Sequence, residues 1–121
     1  MTLSDKQWQV LEALWAAPEG LTLGQAVDAL RPATGWSRNT VLTYLTRMQD
    51  KGLVVIQKED TPHRYRAGVD RESCAAQERR GLLERAYHGS AGKLVAAFLK
   101  EETLTAQERE ELRRLLDEME V

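Results

Sequence analysis

The chain has 121 residues, of which 42% are hydrophobic and 30% charged, and its formal net charge is −2. This length suits one domain with a small appendage, and the composition is that of an ordinary globular protein. The sequence has neither an apolar run near the roughly 18 residues of a membrane helix nor an export signal, so we expect a cytoplasmic chain without membrane insertion. A single cysteine, Cys74, excludes an internal disulfide.

The first predicted helix begins after Ser4, whose hydroxyl can cap it, and Gln7 completes a capping-box pattern. Its apolar positions are Leu3, Trp8, Val10, Leu11, Leu14 and Trp15. We interpret the two tryptophans as core residues rather than as a stacking platform, because they belong to this apolar side.

A second helix is predicted from the cap Thr22 to about Leu30, and residues 21–23 are expected to pair with a later hairpin as a short strand. Residues 31–35 contain Pro32 and Gly35, which favour a turn. This turn would be longer than the three or four residues of the tightest helix-turn-helix.

Residues 36–54 carry the clearest pattern. Ser37 is a predicted cap, Gly52 a predicted stop, and the apolar positions between them recur at helical spacing: Val41, Tyr44, Leu45 and Met48. The opposite face is polar and has no acid before Asp50. Two interpretations stay open. The face is simply solvated, or it lies in the DNA major groove, since a fourteen-residue helix is about 21 Å long and the groove about 12 Å wide.

A small hairpin follows, with predicted strands at 53–58 and 63–67. A helix-turn-helix followed by a basic hairpin is typical of a winged helix, so we expect residues 1–69 to form a winged-helix DNA-binding domain. Residues 31–66 carry seven basic and three acidic residues, whereas the rest of the chain is acidic, and this distribution favours DNA as the partner. The predicted contacts from these patterns are Arg38, Asn39, Leu42, Thr43, Thr46, Arg47, Lys58, His63 and Arg64.

Residues 70–121 are predicted as three short amphipathic helices, beginning near residue 71 and after the caps Ser90 and Thr105. About fifty residues in such helices enclose a poor core, so we expect two copies to bury these faces together as a homodimerisation domain. A two-fold protein in turn matches an inverted-repeat operator. The predicted interface residues are Leu82, Leu94, Phe98, Leu112, Leu115, Leu116 and Met119.

Four segments resemble the penicillinase-repressor family, which includes repressors of β-lactamase and methicillin resistance: LSDKQWQVLEALW (3–15), WSRNTVLTYLTRMQDKGLV (36–54), RYRAGVDRE (64–72) and the stretch 87–118. The resemblance implies a mainly α fold with a β wing, acting as a homodimeric transcriptional repressor on double-stranded operator DNA. It also implies DNA contacts at Thr40, Thr43 and Arg47. We interpret Arg47, late in its helix, as a phosphate contact, and Arg38 and Asn39 as base readers.

In several members of that family, a membrane-bound sensor metalloprotease cuts the repressor in its C-terminal half. The resemblance places the matching bond at Ala97–Phe98, although the best-known members have asparagine where this chain has Ala97. Phe98 is therefore either a cleavage position or only a core residue. Ile56 stands where many members have a basic wing residue.

No cofactor or metal is predicted. Copper-responsive members of the family carry paired cysteines, whereas Cys74 stands alone here and has no histidine at metal-ligand spacing. The sequence also has no nucleophile–base pair and no phosphate-binding loop, so we do not expect an enzyme. The alternative function is a winged helix that binds a protein partner without specific DNA binding, which the acidic overall charge favours and the basic segment disfavours.

Overall fold

The computed structural model describes residues 2–119, which form a mainly helical chain with a two-stranded sheet. Its elements in chain order are α1 (Asp5–Trp15), α2 (Leu23–Thr34), α3 (Arg38–Asp50), β1 (Val54–Gln57), β2 (Arg64–Ala67), α4 (Arg71–Tyr87), α5 (Ala91–Glu101) and α6 (Ala106–Glu118). The chain divides into two compact units, here called the N-terminal unit, which ends at Arg79, and the C-terminal unit, which begins at Arg80. The predicted fold class is confirmed.

The predicted cap residues occupy the N-cap positions of their helices. In each, the hydroxyl accepts a hydrogen bond from the backbone N–H three residues later: Ser4, Thr22, Ser37, Ser90 and Thr105. The capping box predicted with Gln7 is present, and α6 has another one with Glu108. In α6 the backbone N–H of Thr105 donates to the Glu108 carboxylate and, with the Thr105 hydroxyl, lowers the pKa of that group. Capping is local, which is why sequence alone predicts it.

Helices α1, α2 and α3 enclose the core of the N-terminal unit, together with both strands. Its most completely buried large side chains are Val10, Leu11, Leu14, Val41, Leu45, Met48 and Val54. Trp8 and Trp15 meet edge to face, with ring centroids 5.6 Å apart, and pack against this core. Their interpretation as core residues is confirmed.

Helix α2 continues past the predicted stop at Leu30 and includes Pro32. A proline lacks the backbone N–H that would donate to the carbonyl four residues earlier. Near the C-terminus of a helix this loss is tolerable, because few helical residues follow the proline. The last turn is closed by the Thr34 hydroxyl, which donates to the Leu30 carbonyl at 2.7 Å, and Gly35, with a φ of 65°, is the C-cap that follows the helix. The predicted turn 31–35 is therefore wrong, because only residues 35–37 separate α2 from α3.

Strands β1 and β2 pair antiparallel, from Val54 opposite Ala67 to Gln57 opposite Arg64. The strand predicted at 21–23 is reduced to one bridge, in which Leu21 exchanges two backbone hydrogen bonds with Tyr65, at 2.9 and 2.7 Å. The pairing stops there because Thr22 is the N-cap of α2.

The first turns of α4 are tied to the N-terminal unit. The Arg71 guanidinium binds the Glu12 carboxylate, with a shortest distance of 2.9 Å, and lies 5.9 Å from the centroid of the Trp15 ring. The carboxylate raises the pKa of Arg71. The Trp15 indole N–H donates to the Val69 carbonyl at 2.8 Å, and Cys74 is buried. The N-terminal unit thus ends at Arg79, whereas the sequence places the domain boundary after residue 69.

In α5 and α6, within the described residues, no side chain is buried. The helices of residues 2–119 include none that combines the length and apolar content required to cross a bilayer.

Candidate nucleic-acid interface

Helix α3 is held firmly by its apolar side. Val41, Leu45 and Met48 are buried in the core, and the Trp36 ring stacks on Tyr44 with centroids 4.4 Å apart and planes 6° from parallel. With one side fixed and a three-residue turn before it, α3 presents its opposite side to solvent in a defined orientation.

We call that opposite side the reading face, and define it as Asn39, Leu42, Thr43, Thr46 and Arg47. All five side chains are exposed, as is Arg38 at the start of the helix. Thr40 is half-buried beside the face, and its hydroxyl lies 3.1 Å from that of Ser37. The Thr43 hydroxyl donates to the Asn39 carbonyl at 2.9 Å. The polar groups of this face are therefore of two kinds, those already bonded within the helix and those open to an external partner.

The wing adds cations beside α3. Lys58 and His63 are exposed, whereas Arg64 is half-buried and donates from one guanidinium nitrogen to the Gly20 carbonyl at 3.1 Å. Arg64 thus ties the wing to the loop between α1 and α2 and retains further donors, since a guanidinium has five. Arg66 on the same strand is also exposed.

Arg38 and His63 line one cleft, between the start of α2, the start of α3 and the wing. Gly24 of α2 lies in the same cleft, and a Cβ atom there would be 3.8 Å from a guanidinium nitrogen of Arg38. Sequence reasoning names both residues but not their proximity, because they are 25 positions apart and only the fold brings them together.

The ion pairs found between residues 2 and 119 join Arg31 to Asp28, Arg71 to Glu12 and Arg79 to Glu72. None of them uses a cation predicted to contact DNA. These cations therefore have no carboxylate partner in the described chain that a phosphate would need to displace.

The predicted interface residues of the C-terminal unit are exposed or half-buried in the single chain. Phe98 is 52% exposed and Leu115 59%, and Leu82, Leu116 and Met119 are also exposed, whereas Leu94 and Leu112 are half-buried. Val95 and Leu99 of α5 are exposed apolar residues as well. Their helical spacing is visible in the sequence, but the predicted interface omits them.

Ala97 and Phe98 lie inside the helical segment α5. Ala97 is half-buried, and the exposure of Phe98 shows that it is not a core residue of the single chain. Among the described residues, no three His, Cys, Asp or Glu side chains are grouped closely enough to hold a metal ion. Burial, with Asp70 and Glu78 nearby, raises the pKa of the Cys74 thiol.

Comparison with known proteins relates nearly the whole chain to one family. The family model described as Penicillinase repressor matches residues 3–118. The penicillinase repressor of Bacillus licheniformis is 26% identical over 116 residues, which cover 96% of this chain and 90% of that protein. The methicillin resistance regulatory protein MecI of Staphylococcus aureus strain N315 is 24% identical over 115 residues, covering 95% of this chain and 93% of that protein.

The fold also matches a solved structure, the solution structure of the Bacillus licheniformis BlaI monomeric form in complex with the blaP half-operator. The TM-score is 0.52 and the sequence identity 24%, and the match covers 60% of this chain and 87% of that chain. This likeness shows a shared fold.

Proposed function

This chain belongs to the penicillinase repressor family, and from that membership we propose that it is a DNA-binding transcriptional repressor. The observation that carries the proposal is the family match over residues 3–118, which includes both the winged helix and the C-terminal helices. The curated relatives are named as repressors and regulators of resistance rather than as enzymes. Action on operator DNA accords with a cytoplasmic location.

In this proposal α3 is the recognition helix and lies in the major groove. Three observations support this role. The outer face of α3 is exposed and polar, its cations have no carboxylate partner within residues 2–119, and its apolar side is buried in the core. Arg38 and Asn39, at the N-terminal end, are placed as base readers. Arg47, about two and a half turns after Arg38, is placed as a phosphate contact together with the hydroxyls of Thr40 and Thr46. Thr43 is placed as a contact through its methyl group, because its hydroxyl already donates to the Asn39 carbonyl.

The wing would hold the DNA backbone beside α3. Lys58 and His63 are exposed, and Arg64 has guanidinium donors beyond the one that binds Gly20. Contacts of this kind neutralise phosphates without reading sequence, so they make affinity depend on salt rather than on the base pairs.

We further propose that the C-terminal unit forms a homodimer. Its helices leave Phe98, Leu115 and their apolar neighbours in water in the single chain, and burial of apolar surface contributes about 25 cal/mol per Å². A second copy supplies an identical face, and the resulting two-fold symmetry suits an inverted-repeat operator.

Release of the DNA by proteolysis between Ala97 and Phe98, through a membrane sensor metalloprotease, is the finer part of the proposal. It rests on the family resemblance and on α5, which has no buried side chain among the described residues of the single chain, so that a dissociated protomer requires little energy to open there. Cleavage there would detach α6, weaken the dimer and lower the affinity for a two-part operator.

The test is a fluorescence-anisotropy titration with duplex DNA from upstream of the protein's own gene, beside a scrambled duplex, at two salt concentrations. We expect preferential binding of two protomers, with a log–log salt dependence of about −0.9 for each phosphate neutralised. Equal, weak binding to both duplexes would contradict the repressor function and favour the alternative, a winged helix that binds a protein partner.

A further inference from the structure

The reading face has an apolar residue near its middle. Leu42 is 38% exposed although the neighbouring residues of the face, Asn39, Thr43 and Thr46, are polar. An isolated exposed leucine normally requires no explanation. This one lies three residues after Asn39 on the helix proposed to enter the major groove, so its surroundings in the complex would be base edges rather than water.

The hydrogen bonds within α3 determine which groups the reading face can offer. The Thr43 hydroxyl donates to the Asn39 carbonyl at 2.9 Å, so its proton is already used within the helix. Leu42 is the exposed apolar side chain of the face. The Asn39 side-chain amide has no hydrogen-bond partner among the described residues, so both its donor and its acceptor are available.

This combination of groups fits one kind of base pair. In the major groove, adenine presents the N7 acceptor and the N6 donor, which an asparagine amide can bind together, and thymine presents a methyl group that attracts apolar side chains. Guanine and cytosine present no methyl group there. Residues three apart on a helix have Cβ atoms about 5–6 Å apart, so Asn39 and Leu42 can contact one base pair or two adjacent ones.

We propose that Asn39 and Leu42 together read an A·T step in each operator half-site, with Asn39 hydrogen-bonded to adenine and Leu42 against the thymine methyl group. The inference rests on the proposed repressor function and names the class of DNA sequence that its reading face selects. It also gives Leu42, the apolar member of the face, a role in specificity.

The experiment first selects the tightest operator from a pool of random duplexes with the full-length wild-type protein. Each thymine of that operator is then replaced singly, in both half-sites, by uracil, which lacks only the methyl group. At one position we expect binding to weaken about fourfold per half-site, as for the loss of one buried methyl group. The Leu42→Ala variant should bind the thymine and uracil forms of that operator equally.

A second replacement tests Asn39 by the same logic. 7-Deazaadenine removes the N7 acceptor of adenine and should weaken wild-type binding about fivefold, as for one lost hydrogen bond. The Asn39→Ala variant should not distinguish adenine from 7-deazaadenine at that position.

Val55→Ala is the matched control, because Val55 is an aliphatic residue of the wing that is 50% exposed and lies outside the reading face. This variant should keep the full preference for thymine over uracil. Equal binding of both operators by the wild type overturns the proposal, and so does an undiminished preference in Leu42→Ala, which would assign the effect to DNA shape. If the selection enriches no sequence, the repressor function itself fails.

Discussion

The helices of the two compact units have similar amphipathic patterns, but their apolar sides are buried in the N-terminal unit and exposed in the C-terminal unit. In the N-terminal unit, α1, α2 and α3 direct their apolar sides towards one another, and Leu11, Val41 and Leu45 are fully buried. In α5 and α6 the apolar positions recur just as regularly, yet in the single chain Phe98 and Leu115 are more than half exposed. Helical periodicity therefore identifies the side of a helix that seeks burial, but it does not say which surface will cover it.

The difference has a physical origin in size and closure. The N-terminal unit combines three helices with a hairpin and part of α4, so its apolar sides can enclose a common interior. The short helices of the C-terminal unit cannot surround a core, since small assemblies bury too small a fraction of their surface. We expect the first unit to be stable alone and the second to depend on another copy.

The largest effect is expected when leucine is replaced by alanine at one position in each unit. Leu45→Ala removes a fully buried side chain and should lower the free energy of unfolding by about 2–5 kcal/mol, at every protein concentration. Leu115→Ala should have little effect at low concentration and a destabilising effect that appears only where dimers form. Urea unfolding followed by circular dichroism at two protein concentrations measures both. A large loss for Leu115→Ala at low concentration would contradict the account.

A charge in the proposed interface should separate the protomers. We expect Leu115→Asp to raise the dimer dissociation constant about a hundredfold, because burial of an unpaired charge costs at least as much as that of a neutral polar group, roughly 1–3 kcal/mol. Gln107→Asp adds the same charge on the polar side of α6 and should leave the constant unchanged. Sedimentation equilibrium provides the measurement, and dimers of wild-type affinity in Leu115→Asp would show that this face is not the interface.

The contrast also assigns DNA contact to the N-terminal unit alone. Arg47→Ala should weaken DNA binding about eightfold per half-site near 0.1 M salt and reduce the log–log salt slope by about 0.9 per half-site, as for one lost phosphate contact in each protomer. The loss should be similar for operator and scrambled DNA. Arg114→Ala removes the same charge from α6 and should change neither quantity. Anisotropy titrations at several salt concentrations measure both the affinity and the salt slope. Unchanged affinity in Arg47→Ala would show that Arg47 does not contact DNA.

The smallest expected effect concerns the end of the N-terminal unit. Trp15→Phe removes the 2.8 Å hydrogen bond from the indole N–H to the Val69 carbonyl and should lower the free energy of unfolding by about 1 kcal/mol. Trp36→Phe is the control, because the Trp36 indole has no hydrogen bond to the described chain and phenylalanine can still stack on Tyr44. Equal urea midpoints in the two variants would show that the hydrogen bond from Trp15 to Val69 contributes nothing to the free energy of unfolding.

Sequence reasoning succeeds here where the determinants are local. Short patterns whose physics involves neighbours in the chain predict the caps Ser4, Thr22 and Ser37, the wing and the start of α4. The end of α2 is missed because Pro32 is read as a breaker, although near a helix C-terminus the loss of one donor is tolerable.

The candidate site is less predictable, because it depends on distant residues. Sequence patterns name the cations of α3 and the wing, but the cleft shared by Arg38 and His63 and the bond from Arg64 to Gly20 arise only from the packing of α2, α3 and the hairpin. The internal hydrogen bond of Thr43 likewise becomes visible only with side-chain geometry.

Amide hydrogen exchange at two protein concentrations tests most directly whether the C-terminal unit is completed by a second copy. Amides of α1 and α3 should be protected equally at both concentrations, because their unit closes by itself. Amides of α5 and α6 should gain protection as concentration rises, since dimer formation by mass action stabilises only the unit that the partner completes. Two results would contradict the account. One is strong protection of α5 and α6 that does not change with concentration down to the nanomolar range, and the other is no protection of these helices at any concentration.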